Sequence, residues 1–228
     1  MKPITDKQVP ATALDSYFLD PATVHSKMQL AINGTILSDA AIQRLAGCPG
    51  DGEIFAAQDD EAIYLESRHK ELIVNDWRNA NYVEIRRKQE GMSLYLDYIR
   101  FAETCPKNFG AVVLLRMAHE ARHLGFLNIE LLAAGGSGVK GNRWTEEFWG
   151  YEAWPRLGFD ALLQPAILQL IETEPHLHGM TRVSQIIQAD LPWWKEKGDG
   201  WDMTFDLTPG SAAWATLHQY CVKRGLMP

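Results

Sequence analysis

The sequence predicts a mixed α/β domain: a mostly antiparallel sheet flanked by helices, followed by a helical C-terminal extension. Three observations predict it. Short runs rich in β-branched and aromatic residues fill positions 61 to 101, separated by polar or Asn/Gly-containing turns. A helix-period run and a further strand come next, at 110 to 126 and 128 to 134. Beyond Asp160 the pattern becomes mainly helical.

Taken in order, residues 1–26 carry Pro3, Pro10 and Pro21 among polar residues without a sustained period, and read as a lead-in segment. "KMQLAI" (27–32), ending at the Asn33-Gly34 turn signal, reads as a first strand. Ser38 is placed to cap a short helix closed by Gly47, and "CPGDGE" follows as a loop. "AIYLESR", "ELIVNDW", "NYVEIRR" and "MSLYLDYIRF" then form an antiparallel meander. "GAVVLLRMAHEARHLGF" supplies a long helix ending at Gly125, "NIELLAA" a strand, and "GGSGVKGN" a glycine-rich loop. Thr145, Glu146 and Glu147 suit the start of a helix over "TEEFWGYEAWPRLGF". "ALLQPAILQLIETE" and "MTRVSQIIQADL" read as helices, "PWWKEKGDGWD" as an aromatic loop and "MTFDL" as a strand. The last helix is capped by Ser211 and stopped at Gly225. The organisation expected is a lead-in at 1–26, an α/β domain at 27–160 and an extension packed on it at 161–228.

With 228 residues, 46% apolar and 22% charged, the chain can bury a core and is far from the composition of disordered segments. Its net charge of −7 opposes the counterion-release binding of a nucleic-acid-coating protein. The three cysteines, Cys48, Cys105 and Cys221, form no C-x-x-C pair, so neither a disulfide framework nor a thiolate zinc site is indicated. No membrane span is expected. The N-terminus lacks the apolar core of a signal peptide, and a cytoplasmic location is expected. Export as an effector, by a route without a cleaved signal, is compatible with the same residues. Five of the eight tryptophans lie between Trp144 and Trp194, enough to build an aromatic surface or core and to offer a protein partner a place to dock.

His119-Glu120-Ala121-Arg122-His123 has the spacing of a zinc-protease helix. Two imidazoles one turn apart can share a tetrahedral zinc, with Glu120 as general base for its bound water. A third ligand would have to come from Glu146, Glu147 or Glu152. The other reading makes His119, Arg122 and His123 the polar side of an amphipathic helix that buries Leu114, Met117, Ala118, Ala121 and Leu124. Arg122, whose guanidinium would sit beside the cation, and the ease with which three fixed positions arise by chance favour this second reading, so no metal is expected.

From Ser93 to Asp160, the words "LYLDYIRF", "CPKNFG", "AVVLLRMAHEARHLGF", "NIELLAA" and "FWGYEAWPRLGF" follow one another in an order that resembles the GNAT superfamily of acyl-CoA-dependent N-acyltransferases. The resemblance covers about 70 residues, and "GYEAWPRLGFDA" is its most specific stretch. It implies a GNAT-like fold in which amides at the start of the long helix hold the pyrophosphate of acetyl-CoA or another acyl-CoA, so Lys107, Asn108, Phe109, Gly110 and Ala111 become cofactor-binding candidates. Where the family loop carries Arg or Gln, Gly, and then Gly or Ala, this chain has Cys105, Asn108 and Gly110. Backbone donors at the strand end, Ile99 to Phe101, would stabilise the tetrahedral intermediate. Asp97 would serve as base for the attacking amine. Trp154 stands where the family's tyrosine protonates the leaving thiolate, and Tyr151, one turn away, would take that role.

The function implied is transfer of an acyl group, most simply acetyl, from acyl-CoA to an amine-bearing small molecule or protein. A rival reading is a GNAT-like scaffold without catalysis that binds a protein or peptide through its aromatic extension. The zinc hydrolase is a third. Elemental analysis of protein purified without chelator is expected to find no stoichiometric zinc, and His119→Ala to leave the metal content unchanged. One zinc per chain, lost in that variant, would restore the hydrolase reading.

Overall fold

The computed structural model describes residues 11–32, 34–74, 80–137 and 148–227. The first half comprises β1 (Thr23–Ser26), β2 (Ala31–Ile32), β3 (Thr35–Ile36), α1 (Asp39–Leu45), β4 (Glu53–Gln58), β5 (Ala62–Arg68), β6 (Asn81–Lys88), β7 (Gly91–Tyr98) and α2 (Phe109–His123). After it come β8 (Asn128–Leu132), α3 (Gly150–Arg156), α4 (Pro165–Ile171), α5 (Val183–Ala189), α6 (Leu191–Lys197), β9 (Asp202–Asp206) and α7 (Ala212–Lys223). The class is the expected mixed α/β, with helices following residue 160. A seven-stranded mixed sheet has the order β1-β4-β5-β6-β7-β8-β9, and β2 pairs with β3 apart from it. β1 is parallel to β4, whereas β4 to β7 form an antiparallel meander. The chain divides into two compact units at Ile129/Glu130 and again at Tyr220/Cys221.

In the first unit, period-2 alternation along β5 sends Ile63, Leu65 and Ser67 to one face and Tyr64 and Glu66 to the other. The buried face takes the helices. Ser67 Oγ donates to the carbonyl of Ala46 at the end of α1, at 3.1 Å, and α1 packs on α2. Ser38 starts α1 by accepting the amide of Ala41 at 3.2 Å. Gly47, in a left-handed turn at φ 61°, lets α1 end against α2, since a Cβ there would lie 2.8 Å from Val113 Cγ1. α2 buries Phe109, Ala111 to Leu115, Met117, Ala118 and Ala121, and with them the carboxylate of Glu120. That carboxylate meets Arg44 Nε of α1 at 2.6 Å, and its side chain is 7% exposed.

The second unit is held by aromatic packing. Phe159 meets Trp154 and Phe205 edge to face at 5.3 and 5.6 Å, and Phe205 meets Trp214 at 5.5 Å. Buried Trp194 donates its indole N–H to the carbonyl of Tyr151 at 2.9 Å, which satisfies the one polar atom that its burial would otherwise cost. Asp160 gathers the amides of Ala161 and Ser184, the hydroxyl of Ser184 and the guanidinium of Arg182.

Several local expectations are corrected. β1 lies inside the segment read as a lead-in, and Phe18 of the same segment is buried and stacks on Phe109 at 5.4 Å. "KMQLAI" contributes only Ala31–Ile32, because those residues hairpin with Thr35–Ile36 rather than joining the large sheet. β4 was not expected, since "EIFAAQ" has little β propensity; pairing on both sides, with β1 and β5, makes the strand. "ELIVNDW" begins as a turn in which His69 Nδ1 accepts the amides of Glu71 and Leu72, each at 3.1 Å. Only Ile73 then bridges to Phe101, and residues 75–79 lie outside the described residues. "PWWKEKGDGWD" holds the helix α6, started by Asp190, whose carboxylate accepts the amide of Trp193 at 2.9 Å. Asp190 followed by Pro192 was the legible sign of it. Asn33, Trp144 and the expected helix start at Thr145, Glu146 and Glu147 lie outside the described residues.

Replacing Glu120 with Ala leaves the Arg44 guanidinium part-buried opposite nothing. Urea unfolding is expected to show a loss of about 3 kcal/mol or more, and a loss below about 1 kcal/mol would mean the pair is no anchor.

Candidate functional site

The face of β4 to β7 that α1 leaves uncovered carries a cleft of about 920 Å³, in the range of small-molecule sites. Its walls include His25 on β1, Met28 just after it, Phe55 on β4, Tyr64 on β5, Glu84 on β6 and Asp97 on β7. His25 stacks on Phe55 at 4.7 Å and sets its Nε2 3.2 Å from a Glu53 carboxylate oxygen. Glu66 pairs with Arg68, and Glu84 with Arg86 at 2.7 Å.

Asp97 lines the cleft beside a β-bulge. On β6 one step separates Tyr82 from Val83, while their partners on β7, Tyr98 and Leu96, are two apart. Asp97 is the additional residue, and it is exposed. A bulge bends its strand and re-aims a side chain, and such irregularities gather near functional sites.

Just beyond this strand, Asn81 Oδ1 accepts the amide of Arg100 at 2.7 Å and fixes the backbone between Ile99 and Phe101. Asn81 Nδ2 is buried without a hydrogen-bond partner. Phe101 sits edge to face on Phe109 at 5.2 Å, and both Ile99 and Phe101 are half-buried. The turn into α2 passes Lys107, which is exposed, and Asn108, which takes the left-handed conformation at φ 66°. The amides of Phe109 and Ala111 donate to the carbonyls of Pro106 and Asn108, each at 3.0 Å. Phe109 is buried. A Cβ on Gly110 would meet only the ring of Phe101, at 3.6 Å, which is ordinary contact.

The remaining expected residues belong to the second unit. Tyr151 is buried and donates its hydroxyl to the carbonyl of Lys195 at 2.8 Å. Desolvation raises its pKa, with the Glu152 and Asp199 charges adding to the effect. Trp154 is half-buried in the aromatic core described above.

The HEARH segment occupies the last turns of α2, and Glu120, its would-be base, is engaged with Arg44. Glu152 pairs with Arg156 at 3.0 Å and with Lys195 at 2.9 Å. Among the described residues, no group of three or more His, Cys, Asp or Glu side chains is arranged to hold a metal ion. Glu146 and Glu147 lie outside the described residues. No described helix is long and apolar enough to cross a membrane.

A smaller cavity of about 230 Å³ is lined by Phe18, Gly47, Cys48, Val113, Arg44 and Arg116. Its two guanidiniums already face Glu120 and Asp15, the latter at 3.5 Å, which leaves little net charge for an anion.

Sequence reasoning found Asp97 but not Tyr64, Glu66 and Glu84. The sign was present: Tyr64-x-Glu66, Tyr82-x-Glu84 and Tyr95-x-Asp97 repeat one aromatic-x-acid word on three successive strands. At period 2, each word puts both side chains on one sheet face.

No protein-family model, curated protein or solved structure matches the chain.

Burial pushes the Cys48 thiol up to about 12 and Cys221 to about 11, and also raises Cys105, which is only half-buried. Iodoacetamide at pH 8 is therefore expected to label Cys105 first in the folded chain and all three cysteines in denaturant, read by peptide mass spectrometry. Equal native labelling of Cys48 would contradict the packing around Gly47.

Proposed function

We propose that the chain is a GNAT-like N-acyltransferase that moves an acyl group from acyl-CoA to an amine held in the sheet-face cleft. The observation that carries this reading is Asp97, an exposed acid beside a bulge that lines a cleft of substrate size. The order of strand, turn, long helix and strand that follows it supports the same reading.

In the reaction, Asp97 takes a proton from the acceptor ammonium, directly or through water. The freed nitrogen attacks the thioester carbon. A C–N bond forms to give a tetrahedral oxyanion, the nitrogen loses its second proton to water, and collapse breaks the C–S bond, so that the thiolate of coenzyme A leaves and is protonated. Tyr151 is the candidate donor that the resemblance implies, its phenol being protonated at neutral pH. The amides of Ile99 and Phe101 would stabilise the tetrahedral oxyanion, while that of Arg100 is given to Asn81. The buried Asn81 Nδ2 beside that segment has no acceptor among the described residues, and a ligand oxygen would satisfy it. Lys107, Asn108, Phe109, Gly110 and Ala111 would receive the cofactor pyrophosphate, and the resemblance adds Trp154 to the cofactor-binding candidates.

The engaged amides of Phe109 and Ala111, together with the Tyr151 hydroxyl given to Lys195, favour a second reading. In it, the scaffold is kept without catalysis and binds a protein or peptide partner through the tryptophan-rich half of the chain.

Titration of the full chain with acetyl-CoA in a calorimeter separates the two. Saturable binding, weakened in Gly110→Val, is expected for the transferase. Asp97→Asn should then lower turnover about 10²-fold or more while leaving acetyl-CoA affinity unchanged. Absence of binding to the wild type would leave the non-catalytic scaffold.

A further inference from the structure

The register of the meander arranges the three aromatic-x-acid words as a checkerboard. One row across the strands reads Phe55, Glu66, Tyr82, with Asp97 at the bulge. The next reads Ala57, Tyr64, Glu84, Tyr95. Each glutamate thus has an aromatic ring directly across each neighbouring strand and another two residues back along its own. Directly opposed side chains on a sheet lie about 5 Å apart at Cβ, so a ring face and a carboxylate can touch one small group together.

The protein already uses this chemistry at the rims. The Arg86 guanidinium covers the Tyr95 ring at 3.4 Å, and Tyr95 does not line the cleft. Arg68 lies over Phe55 at 4.8 Å. Between these rims, Tyr64 is 38% exposed, and its hydroxyl is held by Asp59 at 3.1 Å. Ala57 beside it is the small side chain of its row, so the cleft has depth next to the ring. Met28 and Phe55 supply an apolar wall.

We infer that the cleft binds an organic monocation, a primary ammonium on an aryl-alkyl or short aliphatic body. The ammonium sits over the Tyr64 ring within reach of Glu84 and Glu66, and the apolar body lies against Ala57, Phe55 and Met28. Burying a cation requires this pairing of a π face with nearby carboxylates. A polyamine is disfavoured. Glu66 and Glu84 are shared with Arg68 and Arg86, so they suit one further cation rather than several, and Lys27 lines the same cleft. Naming the amine as acyl acceptor rests on the transferase reading; its binding does not.

The test titrates the full chain, without acyl-CoA, with phenethylamine, its neutral counterpart 2-phenylethanol, and spermidine, following tyrosine and methyl signals by NMR. Saturable binding of phenethylamine, about tenfold tighter than the alcohol, is expected. Ala57→Leu, which fills the hollow without changing charge, should abolish it, and Glu84→Gln should weaken it severalfold. Both variants alter the solvent side of the sheet, and unchanged circular dichroism checks their folding. Equal affinity for amine and alcohol, tighter binding of spermidine, no saturation, or indifference to Ala57→Leu would each overturn the inference. Amine binding in a chain that fails to bind acetyl-CoA keeps this site and ends the transferase reading. Acetyl-CoA binding without amine binding does the reverse.

Discussion

Arg44 and Glu120 form the contact around which the first unit is organised. A carboxylate with a side chain 7% exposed is costly unless a charge and good geometry meet it, and the guanidinium does so at 2.6 Å. The pair sits where α1 crosses α2, and Gly47 beside it admits the close approach of Val113 and Met117. A second pair, Arg116 with Asp15, joins the residues before β1 to the same helix, with Arg116 also over the Phe18 ring at 4.5 Å. Desolvation lowers the Arg116 pKa, an effect opposed by Asp15. These contacts, set in the apolar packing of α2, commit one face of the meander to the helices.

Because that face is spent, the other is available. An antiparallel sheet can leave one side to solvent, and here that side carries rings and carboxylates in alternation rather than the usual scatter of polar residues. Ion pairs between residues two apart on one strand, and cation–π contacts across to the next, hold the side chains in place at its rims. The bulge at Asp97 adds one irregularity to an otherwise regular ladder, and it falls at the floor of the cleft. Structure and chemistry are linked at that point, since the same strand carries on through Ile99 and Phe101 to the turn before α2.

The HEARH segment shows how a local pattern acquires its meaning. Helical spacing alone permits two imidazoles to share a metal. What Glu120 does depends on Arg44, 76 positions away in sequence. The tyrosine at 151 makes a similar case: its position one turn from Trp154 suggested an acid, and its partner, the Lys195 carbonyl, lies 44 positions further on.

The mixed α/β class, the meander over β5 to β7, the long helix α2 and the cap at Ser38 were determined by the sequence itself. Each depends on periodicity or on hydrogen bonds between residues a few positions apart. The candidate carboxylate Asp97 was legible for the same reason, as a polar residue alternating out of a strand. The strand β4, the place of β1 inside the supposed lead-in and the helix α6 were decided otherwise. β4 and β1 exist through pairing with strands distant in sequence, and α6 folds where Trp194 can bury against Trp201. Only the register across four strands turns three repeats of aromatic-x-acid into a checkerboard. A single residue's slip would have sent each word to the opposite face, and that choice is made by packing against α1 and α2, not by any one strand.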